Sequence, residues 1–435
     1  MILEDIYKIY QQYPQVSTDT RKIEAGTIFF ALKGPNFNGN EFAERALEIG
    51  AEYVVIDQPE YKKESEKYIM VDDVLTTLQN LASYHRKQFN IPVLGITGTN
   101  GKTTTKELIK VVLDKKYNVL ATEGNFNNHI GVPLTLLKLN SKHQIAVIEM
   151  GANHQGEIDL LCKITEPNFG LITNIGKAHL EGFGSYQGVI DAKKELYDNI
   201  NSSADGIVFI NNEDEVLRSI SAGMSAKITY GKRDGVDLRG ELTENNPCLK
   251  IKYESSYSVG ENIIETQMIG SYNMDNILAA VCIGSYFEVN DEDIIEAVSN
   301  YIPGNNRSQI IKQGSNTIIL DAYNANPVSM ELAIAELGNS NVENKIVILG
   351  DMFELGDYSS EEHLKVVDVL NRYEFQKSIL VGEEFGSVLT GFSGEHFNDT
   401  ESAMEGLRSS KIENSTILIK GSRGMKLEEL LEAIK

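Results

Sequence analysis

The sequence predicts an α/β protein of three domains: a small N-terminal α/β domain, a central P-loop parallel-sheet domain, and a C-terminal Rossmann-like α/β domain. Three observations predict it. Apolar strand patterns alternate with helical ones along most of the chain. A glycine-rich turn, Gly98-Thr99-Asn100-Gly101-Lys102-Thr103-Thr104, follows one of those strands and opens a helix. The length of 435 residues exceeds what one hydrophobic core usually organises, and 41% hydrophobic residues can fill several.

The elements follow in order. Residues 1–90 hold apolar runs at 28–32 and 53–56 around a helical stretch at 41–49. A boundary near 88–92 precedes the second segment, 91–302. Its strand patterns at 93–97, 145–150 and 170–174 alternate with helices, as in a parallel sheet with ligand loops at the carboxyl ends of its strands. Residues 236–270 read as short alternating strands, an antiparallel flap, and Gly270 to Asn273 open a helix running through Ala280. The third segment, 303–435, has strands at 317–320, 345–349, 378–381 and 416–419, a spacing that suits βαβ repeats.

The glycine-rich turn is the main chemical signal. Its backbone N–H groups can close on phosphate oxygens, and the next helix offers its positive end to the same anion. In that arrangement Lys102 reaches the β- and γ-phosphates and the Thr103 hydroxyl binds Mg2+. The loop is a shortened form, since Ile96 stands at the usual first glycine and Gly98 takes that part.

Other polar groups collect at strand ends. Glu149 closes the 145–150 strand beside the loop, the usual place of a Mg2+ ligand, although a surface or capping role is the alternative. His179 follows a third strand end on the same edge; a lone histidine is more often structural. Lys193 lies on a helix, and nothing in its spacing distinguishes it from a solvated lysine. Asn125, Asn127 and Asn128 either cap turns or hold a polar substrate. In the third segment, 320–327, 349–356 and 419–424 are polar loops at strand ends: a second ligand-bearing edge, or ordinary turn chemistry.

Composition narrows the partners. A net charge of −23 argues against nucleic acid or an anionic membrane. Three dispersed cysteines form neither a disulfide framework nor a metal motif. The N-terminus has no signal-peptide pattern, and no apolar run reaches a membrane span. The expectation is a cytoplasmic monomer.

Together these motifs resemble the Mur ligases, the ATP-dependent amide-forming enzymes of peptidoglycan synthesis. The resemblance rests on Gly98 to Thr104, Asn125 to Asn128, Glu149 to Ala152, Asp321 to Pro327, Gly350 to Gly356 and Lys420 to Gly424. It covers nearly the whole chain, because Ser17 to Arg21 and residues 26–34 are similar to the family's uridine-nucleotide domain. It implies addition of D-alanyl-D-alanine to UDP-N-acetylmuramoyl-tripeptide through an acyl phosphate. The run Tyr323-Asn324-Ala325-Asn326-Pro327 points to that member rather than to a third-residue-adding or folylpolyglutamate-type ligase. A nucleotide-switch protein is the rival from another class; Glu149, His179 and the third domain speak against it.

The resemblance also implies roles. Gly98, Thr99, Asn100, Gly101, Lys102, Thr103 and Thr104 wrap ATP. Thr103, Glu149 and His179 are metal ligands, His179 at a second Mg2+, and Lys193 carries a carbamate. Lys102, His179, Lys193 and Arg307 form the catalytic set. Asn273 and Asn276 lie on the adenine side, while Arg307, Asp321, Asn324 and Asn326 reach ATP from the third domain. Ser17, Asn127 and Asn128 face the nucleotide-linked peptide; Asp351, Glu354, Lys420 and Ser422 lie near the incoming dipeptide. The chain departs from common family patterns at Asn38-Gly39-Asn40, Ser271-Tyr272-Asn273 and Asn305-Asn306-Arg307.

Overall fold

Three main sheets organise the chain in the computed structural model, which describes all residues except Met1, His179, Asn246, Ser258, Val259, Lys411 and Lys435. The first has four parallel strands, Gln15–Ser17, Thr27–Phe30, Ala51–Ile56 and Tyr68–Met70 in that order. The predicted helix at 41–49 is a 3-10 turn, Gly39–Phe42, running into an α-helix, Ala43–Glu48.

The second sheet has nine strands. The phosphate-loop strand Val93–Thr97 is buried throughout and lies between Phe169–Ile172 and Ile145–Glu149, both parallel to it. Helices cover it, so its apolar run is continuous rather than alternating. Register decides the chemistry: Ile96 pairs with Glu149 and Thr97 with Ile172, so three strands end side by side.

Residues 236–270 form an antiparallel meander, Leu238–Asn245, Cys248–Ser255 and Asn262–Ile269. It is not a separate flap. Leu238 pairs in parallel register with Tyr230 of the strand Lys227–Gly231, so the meander extends the central sheet. The reason is burial. Leu249, Ile251, Tyr253, Ile264 and Met268 share one core with the helix Asn273–Tyr286 and the phosphate-loop helix Lys102–Leu113. These two helices pack closely, and a Cβ on Gly284 would lie 2.4 Å from Val112 Cγ1.

The third sheet has six strands. The four predicted strands are there as Asn316–Asp321, Lys345–Gly350, Lys377–Val381 and Thr416–Lys420, mutually parallel where they pair. Two edge strands join them: Gln309–Gln313, antiparallel to Asn316–Asp321, and the short Glu395–Phe397. No helix among the described residues is long and apolar enough to cross a membrane.

Arg86 staples the first sheet's helix Val74–Arg86 to the central domain. Its buried guanidinium donates to the carbonyls of Thr165 at 3.1 Å and Phe89 at 2.6 Å. Substituting methionine keeps the apolar stem and leaves both carbonyls without their donor. Arg86→Met is expected to destabilise this junction by about 2 kcal/mol, read as a lower urea midpoint; an unchanged midpoint would contradict the staple.

Candidate active site

The phosphate loop takes a backbone shape that its glycines make possible. Gly101 has φ +76°, and a Cβ there would lie 2.5 Å from Asn276 Oδ1; on Gly98, at φ +143°, it would lie 2.0 Å from Thr173 Oγ1. A neighbouring loop clamps it. Thr99 N donates to Asn174 O at 2.9 Å, Asn100 N to Asn174 Oδ1 at 3.0 Å, and Asn174 Nδ2 to Asn100 O at 3.0 Å. Gly176 N donates to Thr99 Oγ1 at 2.9 Å. Below the loop, Thr105 Oγ1 donates to Asn276 Oδ1 at 3.0 Å, Asn276 Nδ2 to Asn273 Oδ1 at 2.9 Å, and Asn273 Nδ2 to Ile269 O at 2.8 Å. Asn273 and Asn276 are thus buried as a ladder supporting the loop.

Lys102 folds back onto the loop, donating to Gly98 O at 2.6 Å and Thr99 O at 2.9 Å. Burial lowers its pKa to about 8, against the Glu149 carboxylate and with help from the Arg307 charge. A bound anion would restore the charged form. Thr104 follows in the first turn of the helix.

At the adjacent strand end, Thr103 Oγ1 donates to Glu149 Oε1 at 3.2 Å and Asn127 Nδ2 donates to the same oxygen at 2.8 Å. Glu149 Oε2 is buried without a hydrogen-bond partner. A carboxylate oxygen left so is costly unless a cation faces it, so Glu149 and Thr103 suit a hard divalent cation. Among the described residues no group of three or more His, Cys, Asp and Glu could hold a metal. His179 lies outside the described residues. Lys193 is not on a solvated face: it is 2% exposed, with Nζ 5.3 Å from the Phe183 ring centroid. Burial and the Lys102 charge bring its pKa down to about 7, with Glu157 and Glu195 opposing.

The C-terminal domain reaches the same loop. Asn326 caps the helix Pro327–Asn339, accepting from Ser329 N at 2.9 Å, and its Nδ2 donates to Asn100 Oδ1 at 2.6 Å. Asp321 accepts from Ser308 N at 3.1 Å and from Lys420 Nζ at 2.5 Å. Lys420 also contacts Asn324 O at 3.4 Å. The Arg307 guanidinium stacks 3.7 Å over the Tyr323 ring, with Arg423 5.6 Å from that ring's centroid.

Other expected positions serve local structure here. Asp351 is buried and accepts from Glu384 N and Phe385 N, each at 3.0 Å, capping a short helix; burial raises its pKa. Ser422 Oγ accepts from Phe353 N at 2.9 Å and ties two loops together, and Glu354 stands exposed on one of them at φ +64°. Asn128 Oδ1 accepts from Ile130 N and Gly131 N at a helix start. Ser17 Oγ accepts from Asp19 N at 3.1 Å. The clamp by Thr173 and Asn174, the bond of Asn127 to Glu149 and the ring beneath Arg307 were not assigned from sequence. The only sequence signal for the clamp was a polar loop leaving the next parallel strand.

Three family models match the chain: Mur ligase family, catalytic domain, over residues 12–86; Mur ligase middle domain, over 96–284; and Mur ligase, glutamate ligase domain, over 306–423. The UDP-N-acetylmuramoyl-tripeptide–D-alanyl-D-alanine ligase of Bacillus subtilis (strain 168) is 35% identical over 429 residues, covering 96% of this chain and 92% of that protein. A MurF crystal structure from Acinetobacter baumannii superposes with a TM-score of 0.88 at 32% identity, covering 96% of this chain and 92% of that one. The MurF ligase of Thermotoga maritima, in complex with ADP, gives 0.85 at 26% identity and covers 96% of each chain.

The clash at Gly101 yields a test. Gly101→Ala is expected to weaken ADP binding roughly tenfold or more, measured by calorimetry on a variant whose circular dichroism is unchanged. Native affinity in that variant would contradict the loop geometry.

Proposed function

The chain belongs to the Mur ligase family, and on that premise we propose that it joins D-alanyl-D-alanine to UDP-N-acetylmuramoyl-tripeptide, an ATP-dependent amide-forming step of peptidoglycan synthesis. The observation that carries this reading is the meeting of Asn326, from the Tyr323-Asn324-Ala325-Asn326-Pro327 loop, with Asn100 of the phosphate loop at 2.6 Å. It puts the third domain's polar edge on the nucleotide loop. The acceptor and the donor are those named for the relatives matched along the whole chain.

A carboxylate is a poor acyl donor. In the first step an oxygen of the tripeptide's terminal carboxylate attacks the γ-phosphorus of ATP, and ADP leaves, giving an acyl phosphate. In the second the dipeptide amine attacks the acyl carbon, phosphate leaves, and the nitrogen gives up a proton. Two anions must meet in the first step. Lys102, exchanging its loop carbonyls for phosphate oxygens, and Arg307, held flat on Tyr323, offset that repulsion. Thr103 and Glu149 would hold Mg2+, which supplies further charge neutralisation at the phosphates when bound. Much of the rate gain comes from aligning two substrates between domains.

The remaining roles are assigned as follows. Residues 1–90 take the uridine nucleotide, with Ser17 in that domain; 91–302 take ATP; 303–435 complete the site. Asn273 and Asn276 set the adenine side of the loop, and Asp321, Asn324 and Asn326 contribute from the third domain. Asn127 and Asn128 shape the side facing the muramoyl peptide. Asp351, Glu354, Lys420 and Ser422 shape the dipeptide side. His179 is assigned to a second Mg2+. The working unit is assigned as a monomer, and the nucleotide substrates suit the cytoplasm. Closure of the third domain on ATP completes the site.

Lys193 is assigned as the carrier of a carbamate. An amine must be neutral to attack CO2, and with a pKa of about 7 Lys193 is neutral above that pH. In 13C-bicarbonate a carbamate signal is therefore expected to grow as pH rises from about 6 to about 8 and to be missing from Lys193→Arg; an equal signal in that variant would remove the assignment. The activity itself is tested by ATP-dependent phosphate release with D-alanyl-D-alanine, with and without UDP-N-acetylmuramoyl-tripeptide. Release is expected only with both, accompanied by the pentapeptide mass; release without that mass would overturn the reading.

A further inference from the structure

The loop after the strand Lys345–Gly350 is held by a different element at each of three consecutive residues. Asp351 N donates to Val381 O at 3.1 Å, Met352 N to His363 Nε2 at 3.0 Å, and Phe353 N to Ser422 Oγ at 2.9 Å. His363, on the helix Ser359–Leu370, is fully buried, and its ring packs edge-on against Phe385 with centroids 4.7 Å apart. Its partners select one tautomer. A backbone N–H can only donate, so Nε2 is the acceptor. The Ser359 carbonyl, 2.8 Å from Nδ1, can only accept, so Nδ1 carries the proton. No step of the reaction described above uses this histidine.

The loop held in this way presents one large apolar side chain. Met352 and Leu355 are buried, whereas Phe353 between them is 45% exposed. Its ring lies on Gly424, where a Cβ would come within 2.7 Å of Phe353 Cε2. The residue before that glycine is Arg423, which lies beside the Tyr323 ring, and Arg307 stacks on the same ring. Arg307, Tyr323, Arg423 and Phe353 thus form a continuous run. All belong to the third domain, so the run does not depend on where that domain sits relative to the phosphate loop. A guanidinium next to an exposed aromatic ring suits a small molecule with a carboxylate and an apolar substituent beside it.

We infer that Phe353 is a specificity-determining residue for the acceptor dipeptide and that His363 is the residue that positions it. The inference rests on the ligase reading, in which Arg307 marks the reacting phosphate. The acceptor's amine must reach that end of the run. Its carboxylate end then lies toward Arg423, with the methyl of its second residue against the Phe353 ring. Covering one methyl with a half-exposed ring selects it over glycine by roughly three- to tenfold. His363 touches no substrate. Without its acceptor nitrogen the Met352 N–H is buried unsatisfied, and the loop shifts to regain a partner, carrying Phe353 with it.

The test measures kcat/KM of the full chain for D-alanyl-D-alanine and for D-alanylglycine, with KM for ATP alongside. The preference for the first acceptor is expected to fall roughly three- to tenfold in Phe353→Ala, with KM for ATP unchanged. His363→Leu is expected to lower it in the same way. His363→Gln, whose amide oxygen can accept from Met352 N, is expected to keep the parent's preference. Phe353→Ala combined with His363→Leu is expected to match Phe353→Ala alone, because the histidine acts through the ring. Should His363→Leu fail to fold, His363→Asn, whose amide is too short to reach Met352 N, takes its place. An unchanged preference in Phe353→Ala, or equal losses for both acceptors, would overturn the inference. A histidine effect that adds to the Phe353 effect would overturn the positioning role. A parent chain that makes no pentapeptide overturns the ligase reading and this inference together, whereas an active parent whose preference survives Phe353→Ala overturns this inference alone.

Discussion

The site depends on one constraint: a loop that points its N–H groups at an anion must have its remaining polar groups satisfied by something else. Gly98 and Gly101 permit the backbone shape, but they do not hold it. The 173–176 loop does, through Asn174 on Asn100 and Gly176 on Thr99, and Asn276 supports it from below. These partners come from two different elements of the central fold. The sheet's register brings the first to the loop, and the packing of the helix Asn273–Tyr286 on Lys102–Leu113 brings the second.

Burial of charge is the second theme. Lys102 and Lys193 are both shifted down by desolvation, and each lies in a network with carboxylates that oppose the shift. The two serve different ends. Lys102 is poised to regain full charge when phosphate arrives, which favours anion binding. Lys193 is held near neutrality, which is what the carbamate proposed for it requires. Glu149 completes the set as a buried carboxylate with one oxygen bonded and the other without a donor. Such a corner is stable chiefly when a cation is shared with the ligand.

Legibility in the sequence followed the range of the interaction. The strand Val93–Thr97 lies where its apolar run predicted, because a central strand buried on both faces needs no long-range information to be recognised. The helix after it was legible from the Gly-Lys-Thr start. The meander at 236–270 was legible as antiparallel strands but not as part of the central sheet, since its attachment through Tyr230 and Leu238 is a pairing between separate segments. The edge strands Gln309–Gln313 and Glu395–Phe397 were missed because edge strands carry little apolar signal. Lys193 could not be told from a surface lysine, because its burial comes from neighbours distant in the chain.

By itself the sequence determined the α/β class, the phosphate loop, the polar loops at strand ends and the family resemblance, all properties of short contiguous runs. Only the tertiary structure decided which of those loops meet. Asn326 reaches Asn100 across more than half the chain, and Glu336 reaches Ser271 and Asn245. It also decided which polar residues bond to nearby backbone, Asp351 from a buried position and Asn128 from an exposed helix start. The physical reason is that hydrogen-bond partners and desolvation are set by what surrounds a group in space, and the local pattern along the chain does not encode that surrounding.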